Sequence, residues 1–150
     1  MVTRVGNQKY FTEAIKELLE LEYDALEAYK AAIGRFEKEM YKLKLQEFQN
    51  DHERHIARIS NILSNYSKEI PDKPSSKQWL TKGKVVLANL IGDKKIIEAM
   101  ISNEEDTNQA YENLCKRDDK WSEIEEFLTS AHTDEKRHKA GLKEMISSMP

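Results

Sequence analysis

Two short stretches, "DHERH" at 51–55 and "DEKRH" at 134–138, carry an acid, an arginine and a histidine at the same spacing. Residues three apart on a helix share a face, so His52 would project with His55, and Glu135 with His138. A second repeat supplies two more acids. "EYDALEAY" at 22–29 and "EEDTNQAY" at 104–111 each begin with Glu, have Asp two positions later and end in Ala-Tyr. Carboxylates and imidazoles in one place are the oxygen and nitrogen donors of a first-row metal site. With coordination positions left open, they suit iron or manganese better than a closed structural zinc.

Such side chains must be positioned by regular elements, and the pattern around them is helical. Five glycines and three prolines in 150 residues leave few breaks. Pro71, Pro74 and the serines at 75 and 76 mark the main one. The chain reads as one domain: a first helix hairpin over about 12–66, a crossover over about 67–92 and a second hairpin over about 93–148. Apolar residues recur at helical spacing in four stripes. Ile15, Leu18, Ala25, Leu26, Tyr29, Ile33 and Phe36 form the first; Leu45, Phe48, Ile59, Ile62 and Tyr66 the second. Ile97, Met100, Ile101, Thr107, Tyr111 and Leu114 form the third; Ile124, Phe127, Leu128, Ala131, Leu142 and Met145 the fourth. Thr12 is the expected cap of the first helix, Gly92–Asp93 opens the third, and Ser122 with Glu125 has capping-box spacing for the fourth. A break is expected near 34–38, and "WLTKGKVVLANLI" at 79–91 is a candidate short helix in the crossover. Four amphipathic helices of this length imply an all-α four-helix bundle built from two repeated antiparallel hairpins.

Each stripe skips a beat, and the skipped positions hold the chemistry. Glu22, the His52/His55 pair, Glu104 and the Glu135/His138 pair all fall on the inward face. An unpaired ionised carboxylate there costs several kcal/mol, so each needs a cation or a hydrogen-bond partner. Glu22 and His55 lie 33 residues apart, Glu104 and His138 lie 34 apart, and each pair is centred on a suspected turn. Folding each hairpin back on itself brings all six groups to one level at mid-bundle.

Glutamate with tyrosine seven later, and Glu-x-x-His on a partner helix, resemble the ferritin-like superfamily of di-iron and di-manganese carboxylate proteins. The resemblance covers essentially residues 12–148. It looks most similar to small bacterial ferritin-like proteins of uncharacterised function and to the helical domain of rubrerythrins. The cysteines of a rubredoxin module are missing. The resemblance implies a long crossover that makes the second and third helices parallel. It also implies two iron or manganese ions held by Glu22, Glu104, Glu135, His55 and His138, with Glu135 bridging. Tyr29 and Tyr111 would hydrogen-bond the carboxylates. Asp51 would orient His138 across the bundle, and Asp134 would orient His55. His52 departs from the pattern, standing where a second bridging glutamate is expected. Three glutamates under-neutralise two divalent ions, so a single ion is an alternative, and His52 either ligates or turns aside.

The implied activity is redox chemistry with dioxygen or peroxide, or oxidation of Fe(II), as a peroxidase- or ferroxidase-like oxidoreductase. A non-catalytic bundle that sequesters or senses metal is a second reading, and a metal-free core satisfied by Glu–His hydrogen bonds a third. A homodimer is the expected assembly. A net charge of −3 with 34% charged residues gives no electrostatic case for nucleic acid or an anionic membrane. The apolar run "VVLANLI" at 85–91 is far too short to span a bilayer, the first residues lack an apolar signal core, and Cys115 has no internal partner. A cytoplasmic protein is expected. His132 lies one position off its stripe and should face solvent. Trp79 and Trp121 should pack over the bundle ends or at a subunit contact.

Overall fold

In the computed structural model, residues 3–74 and 91–150 are described. Four helices account for most of them: α1 (Phe11–Ile33), α2 (Glu39–Leu63), α3 (Asp93–Cys115) and α4 (Ser122–Ser147). No strand occurs among the described residues. The possible crossover helix at 79–91, except Ile91, and Trp79 lie outside them.

The helices pack as a bundle in which α1 pairs with α2 and α3 with α4, while α1 against α3 and α2 against α4 join the hairpins. Contact order fixes the directions. Tyr29 on α1 meets Glu104 on α3, whereas Glu22 meets Tyr111, so these helices are antiparallel. His55 meets Asp134 and Asp51 meets His138, so α2 and α4 are antiparallel too. With α1 also antiparallel to α2, the second and third helices run the same way, which is why a long crossover is needed.

Burial follows the stripes. Ile15, Leu18, Leu45, Phe48, Ile59, Ile97, Met100, Leu114, Ile124, Leu128 and Leu142 are inside, together with Leu19, Leu21, Leu63 and Ile96, which widen the apolar face beyond the expected positions. Tyr66, Ile33 and Ile101 do not join them: Ile33 and Ile101 are half-buried, and Tyr66 lies past the end of α2 in the turn.

The helix starts differ from the capping expectations. Tyr10 and Trp121, in extended conformation, stand at the N-cap positions of α1 and α4, so Thr12 is already inside α1 and Ser122 is the first residue of α4. Neither cap makes a side-chain hydrogen bond. Aromatic packing serves instead. Trp121 stacks on Tyr66 with ring centroids 3.7 Å apart and meets Phe11 edge-on at 4.9 Å, closing one end of the bundle.

The leader before α1 is docked there as well. Val5 is fully buried, and Arg117 donates to the carbonyls of Gly6, Gln8 and Lys9. Gly6 has φ +97, and a Cβ there would stand 2.8 Å from Asn113 Cβ, so glycine is required both for conformation and for the close approach to α3.

Candidate metal centre

The level at which the stripes skip a beat is a polar layer inside an apolar bundle. Glu22 on α1, His52 and His55 on α2, Glu104 on α3, and Glu135 and His138 on α4 are all essentially inaccessible to solvent. Helical periodicity turns all six inward, and matched distance from the two turns brings them level.

Their reactive atoms converge. Glu22 Oε2 lies 2.8 Å from His52 Nδ1, and Glu22 Oε1 lies 3.3 Å from His55 Nδ1. Glu135 Oε1 is 3.3 Å from His55 Nδ1, and Glu135 Oε2 is 3.4 Å from His138 Nδ1. Glu104 Oε1 is 3.5 Å from both His52 Nε2 and His138 Nδ1. Two overlapping donor sets result: Glu22, His52, His55 and Glu135, and then His52, Glu104, Glu135 and His138. Within each set one atom from every residue lies within 4.8 Å of the others. Glu135 and His52 belong to both sets, and they occupy equivalent positions in the two hairpins.

An outer ring of hydrogen bonds holds these side chains. Tyr111 OH donates to Glu22 Oε1 at 2.7 Å, and Tyr29 OH donates to Glu104 Oε1, each tyrosine serving the carboxylate of the other hairpin. His55 Nε2 lies 2.8 Å from Asp134 Oδ2, and His138 Nε2 lies 2.8 Å from Asp51 Oδ2. A carboxylate at Nε2 holds the proton there and turns the Nδ1 lone pair inward whenever the ring is neutral.

Three further groups join the ring without having been singled out in the sequence. The Thr107 hydroxyl lies 3.0 Å from Glu104 Oε2 and 3.1 Å from Glu135 Oε2, so its single proton can be given to either carboxylate. Arg54 and Arg137 each bridge Asp51 and Asp134: Arg54 reaches Asp134 at 2.8 Å and Asp51 at 3.1 Å, and Arg137 reaches Asp51 at 2.5 Å and Asp134 at 3.3 Å. The signal for the arginines was present, since both occur in the repeated stretch just before the histidine. Thr107 sat in an apolar stripe and carried no such signal. His132 is half-buried and lines an open groove between α3 and α4 with Lys136 and Lys139.

Charge in the layer is strongly coupled. Burial alone would raise the Glu22 and Glu104 carboxyls. His52 and His55 beside the first, and His138 beside the second, hold both well below the usual range. Burial would lower the histidines, yet the carboxylates outweigh it: His55 is pushed up to about 10 and His138 to about 9, and His52 is raised well above its ordinary value. Metal-free, the layer is a mesh of imidazolium and carboxylate. That mesh is incomplete: Glu135 Oε1 and His138 Nδ1 are buried and lack a hydrogen-bond partner among the described residues. Unsatisfied donor atoms aimed into a carboxylate–imidazole cluster are what a cation would complete, so the residues fit one.

No helix among the described residues is long and apolar enough to cross a membrane. No curated protein and no solved structure matches the chain. The family described as "Domain of unknown function (DUF2383)" matches residues 11–117, which span α1 to α3 and hold Glu22, His52, His55 and Glu104, but stop before Glu135 and His138. With more than two thirds of its length inside that match, the chain belongs to the DUF2383 family.

Proposed function

We propose that this chain is a ferritin-like metal-binding protein whose core takes up to two iron or manganese ions for redox chemistry with dioxygen or peroxide, or for Fe(II) oxidation. One observation carries the reading. Two four-residue donor sets share Glu135 at the bundle centre, and two of their buried atoms, Glu135 Oε1 and His138 Nδ1, make no hydrogen bond among the described residues and have only charged neighbours at 3.3 Å or more. The up-down-down-up helix order and the Glu-x-x-His spacing on α4 support it.

Glu22 and His55 would hold one ion, Glu104 and His138 the other, and Glu135 would span them. When bound, iron or manganese supplies one-electron valence change towards a small oxidant. The chain's own groups set the conditions. Asp134 and Asp51 fix the ring orientation of His55 and His138, while Tyr29, Tyr111 and Thr107 hold the carboxylates by hydrogen bonds. The apolar layers above and below, with Phe48 against His138 and Phe127 against His55, exclude water. Arg54 and Arg137 offset the two aspartates, so the outer ring adds no net charge, and the balance at the centre is decided by three glutamates and the histidines.

A specific contact favours a second reading. His52 Nδ1 is already 2.8 Å from Glu22, so the bridging position of the first hairpin is occupied by a hydrogen-bonded imidazole rather than a carboxylate. This chain would then bind one ion and sequester it without turnover.

Metal content after anaerobic loading with Fe(II) or Mn(II), followed by addition of oxygen or peroxide, separates the readings. Two ions per chain and repeated oxidation of added Fe(II) support the first. One retained ion and no turnover supports the second. No retention of either metal refutes both.

A further inference from the structure

The two hairpins repeat around the layer, but they close its two ends differently. Residues 83 apart correspond between α2 and α4: Leu45 with Leu128, Asp51 with Asp134, His55 with His138 and Ile59 with Leu142. At the same offset Phe48 corresponds to Ala131, and Gly141 to Arg58.

At the His138 end the Phe48 ring lies over the imidazole, with centroids 4.5 Å apart. It lodges in a notch that exists because residue 141 is glycine, where a Cβ would stand 2.7 Å from Phe48 Cζ. That end is plugged.

At the His55 end the equivalent of the plug is the methyl group of Ala131. Two rings meet His55 edge-on there, Tyr111 of α3 at 6.0 Å and, on α4 one turn before Ala131, Phe127 at 5.8 Å. The other side of Phe127 is the wall of a groove of about 350 Å³ between α2 and α4, lined also by Arg54, Arg58, Glu123, Glu126 and Ser130. One ring therefore separates that groove from a fully buried donor of the layer.

We propose that this groove is the route by which divalent cations reach the core, and that Phe127 is the side chain that must swing aside to admit them. Glu123 and Glu126 supply exposed carboxylates at the mouth. The charge of Arg54 is already met by Asp51 and Asp134, leaving Arg58 to offset the glutamates in part. Carboxylates partly balanced in this way attract a hydrated cation without trapping it, as a passage requires. Phe127, at 9% exposure, sits at the edge of the core, and the small side chain of Ser130 lines the groove beside it, so the movement required is a change of χ1 rotamer.

The inference rests on metal binding in the layer, and its test keeps the two apart. Full-length protein stripped with EDTA is mixed with Co(II), and uptake is followed by visible absorbance in a stopped-flow instrument, with equilibrium content measured separately. Ser130→Trp, an exposed position whose new side chain fills the groove, should slow uptake at least severalfold. Phe127→Ala should speed it severalfold. Ser130→Trp should leave equilibrium content unchanged. Wild-type rates in both variants, at full content, would overturn the route and leave the metal site standing. No equilibrium uptake by the wild-type protein would overturn the site and the route together.

Discussion

His52→Glu restores a fourth carboxylate at the centre of the layer, and its consequences can be worked from the contacts. His52 Nδ1 lies 2.8 Å from Glu22 Oε2 and 3.7 Å from Glu135 Oε1, and its Nε2 is 3.5 Å from Glu104 Oε1. At an effective dielectric of about 20, unit charges about 3.5 Å apart interact by roughly 5 kcal/mol. Replacing an imidazolium by a carboxylate turns three attractions of that order into repulsions. The new acid takes up a proton rather than bear them, so the metal-free protein should lose about 3–5 kcal/mol, as when a buried ion pair is broken. For a chain of this size that lowers Tm by roughly 10 °C. With two divalent ions present the sign reverses, because four glutamates neutralise the charge that three leave over. Circular dichroism melts in EDTA and in Mn(II), with metal content by mass spectrometry, measure both effects. The expected result is a lower metal-free Tm, a wider gap between metal-free and loaded forms, and metal content closer to two per chain. A variant with wild-type Tm in EDTA and unchanged metal content would refute the charge reasoning and the bridging assignment together.

Other expectations follow from the same contacts. His55 and His138, raised to about 10 and about 9 in the metal-free bundle, contribute stability that is complete below their unfolded value of about 6.5 and is lost as pH rises through 9 to 10. The Tm in EDTA should therefore fall across that interval, whereas Mn(II) affinity should rise over it because binding releases the imidazole protons; melts and proton-release measurements at several pH values check both signs. Tyr29→Phe and Tyr111→Phe each strip a buried carboxylate of a hydroxyl donor and should cost about 1–3 kcal/mol in urea unfolding. Near-equal losses in the two variants would reflect the crossed symmetry of the contacts. Gly141→Ala gains about 1 kcal/mol of helix propensity but drives a methyl into Phe48, and a net loss of about 1–2 kcal/mol is expected by denaturant titration. Stabilisation instead would show that Phe48 yields readily and does not plug the His138 end.

Much of the architecture was legible because its signals are local and repeated. A 3.6-residue period needs only neighbours in the chain, so the four helices and their inward faces could be read directly. The echo between residues 22–55 and 104–138 added the level at which six polar groups meet, since equal distance from a turn is a property of chain length alone. The crossed pairing of Asp51 with His138 and of Asp134 with His55 came from a resemblance, and the side chains do meet in that way. Caps were read less well. Thr12 and Ser122 have the chemistry of N-caps, but aromatic packing around Trp121 sets where the ends of α1 and α4 lie, and that packing joins residues far apart in the chain.

By itself the sequence determined that this chain forms helices with acids and imidazoles on their buried stripes. Covalent spacing dictates periodicity, and burial forbids such groups without a partner. Only the tertiary structure decided which partner each one takes. His52 hydrogen-bonds Glu22, Thr107 donates to either Glu104 or Glu135, and two arginines cross-link two aspartates, because helix rotation and rotamer choice place those atoms within reach. It also decided that Glu135 Oε1 and His138 Nδ1 face charged neighbours at 3.3 Å or more without making a hydrogen bond among the described residues. Whether a donor is satisfied depends on every neighbour at once, and no spacing along one strand of text can encode that.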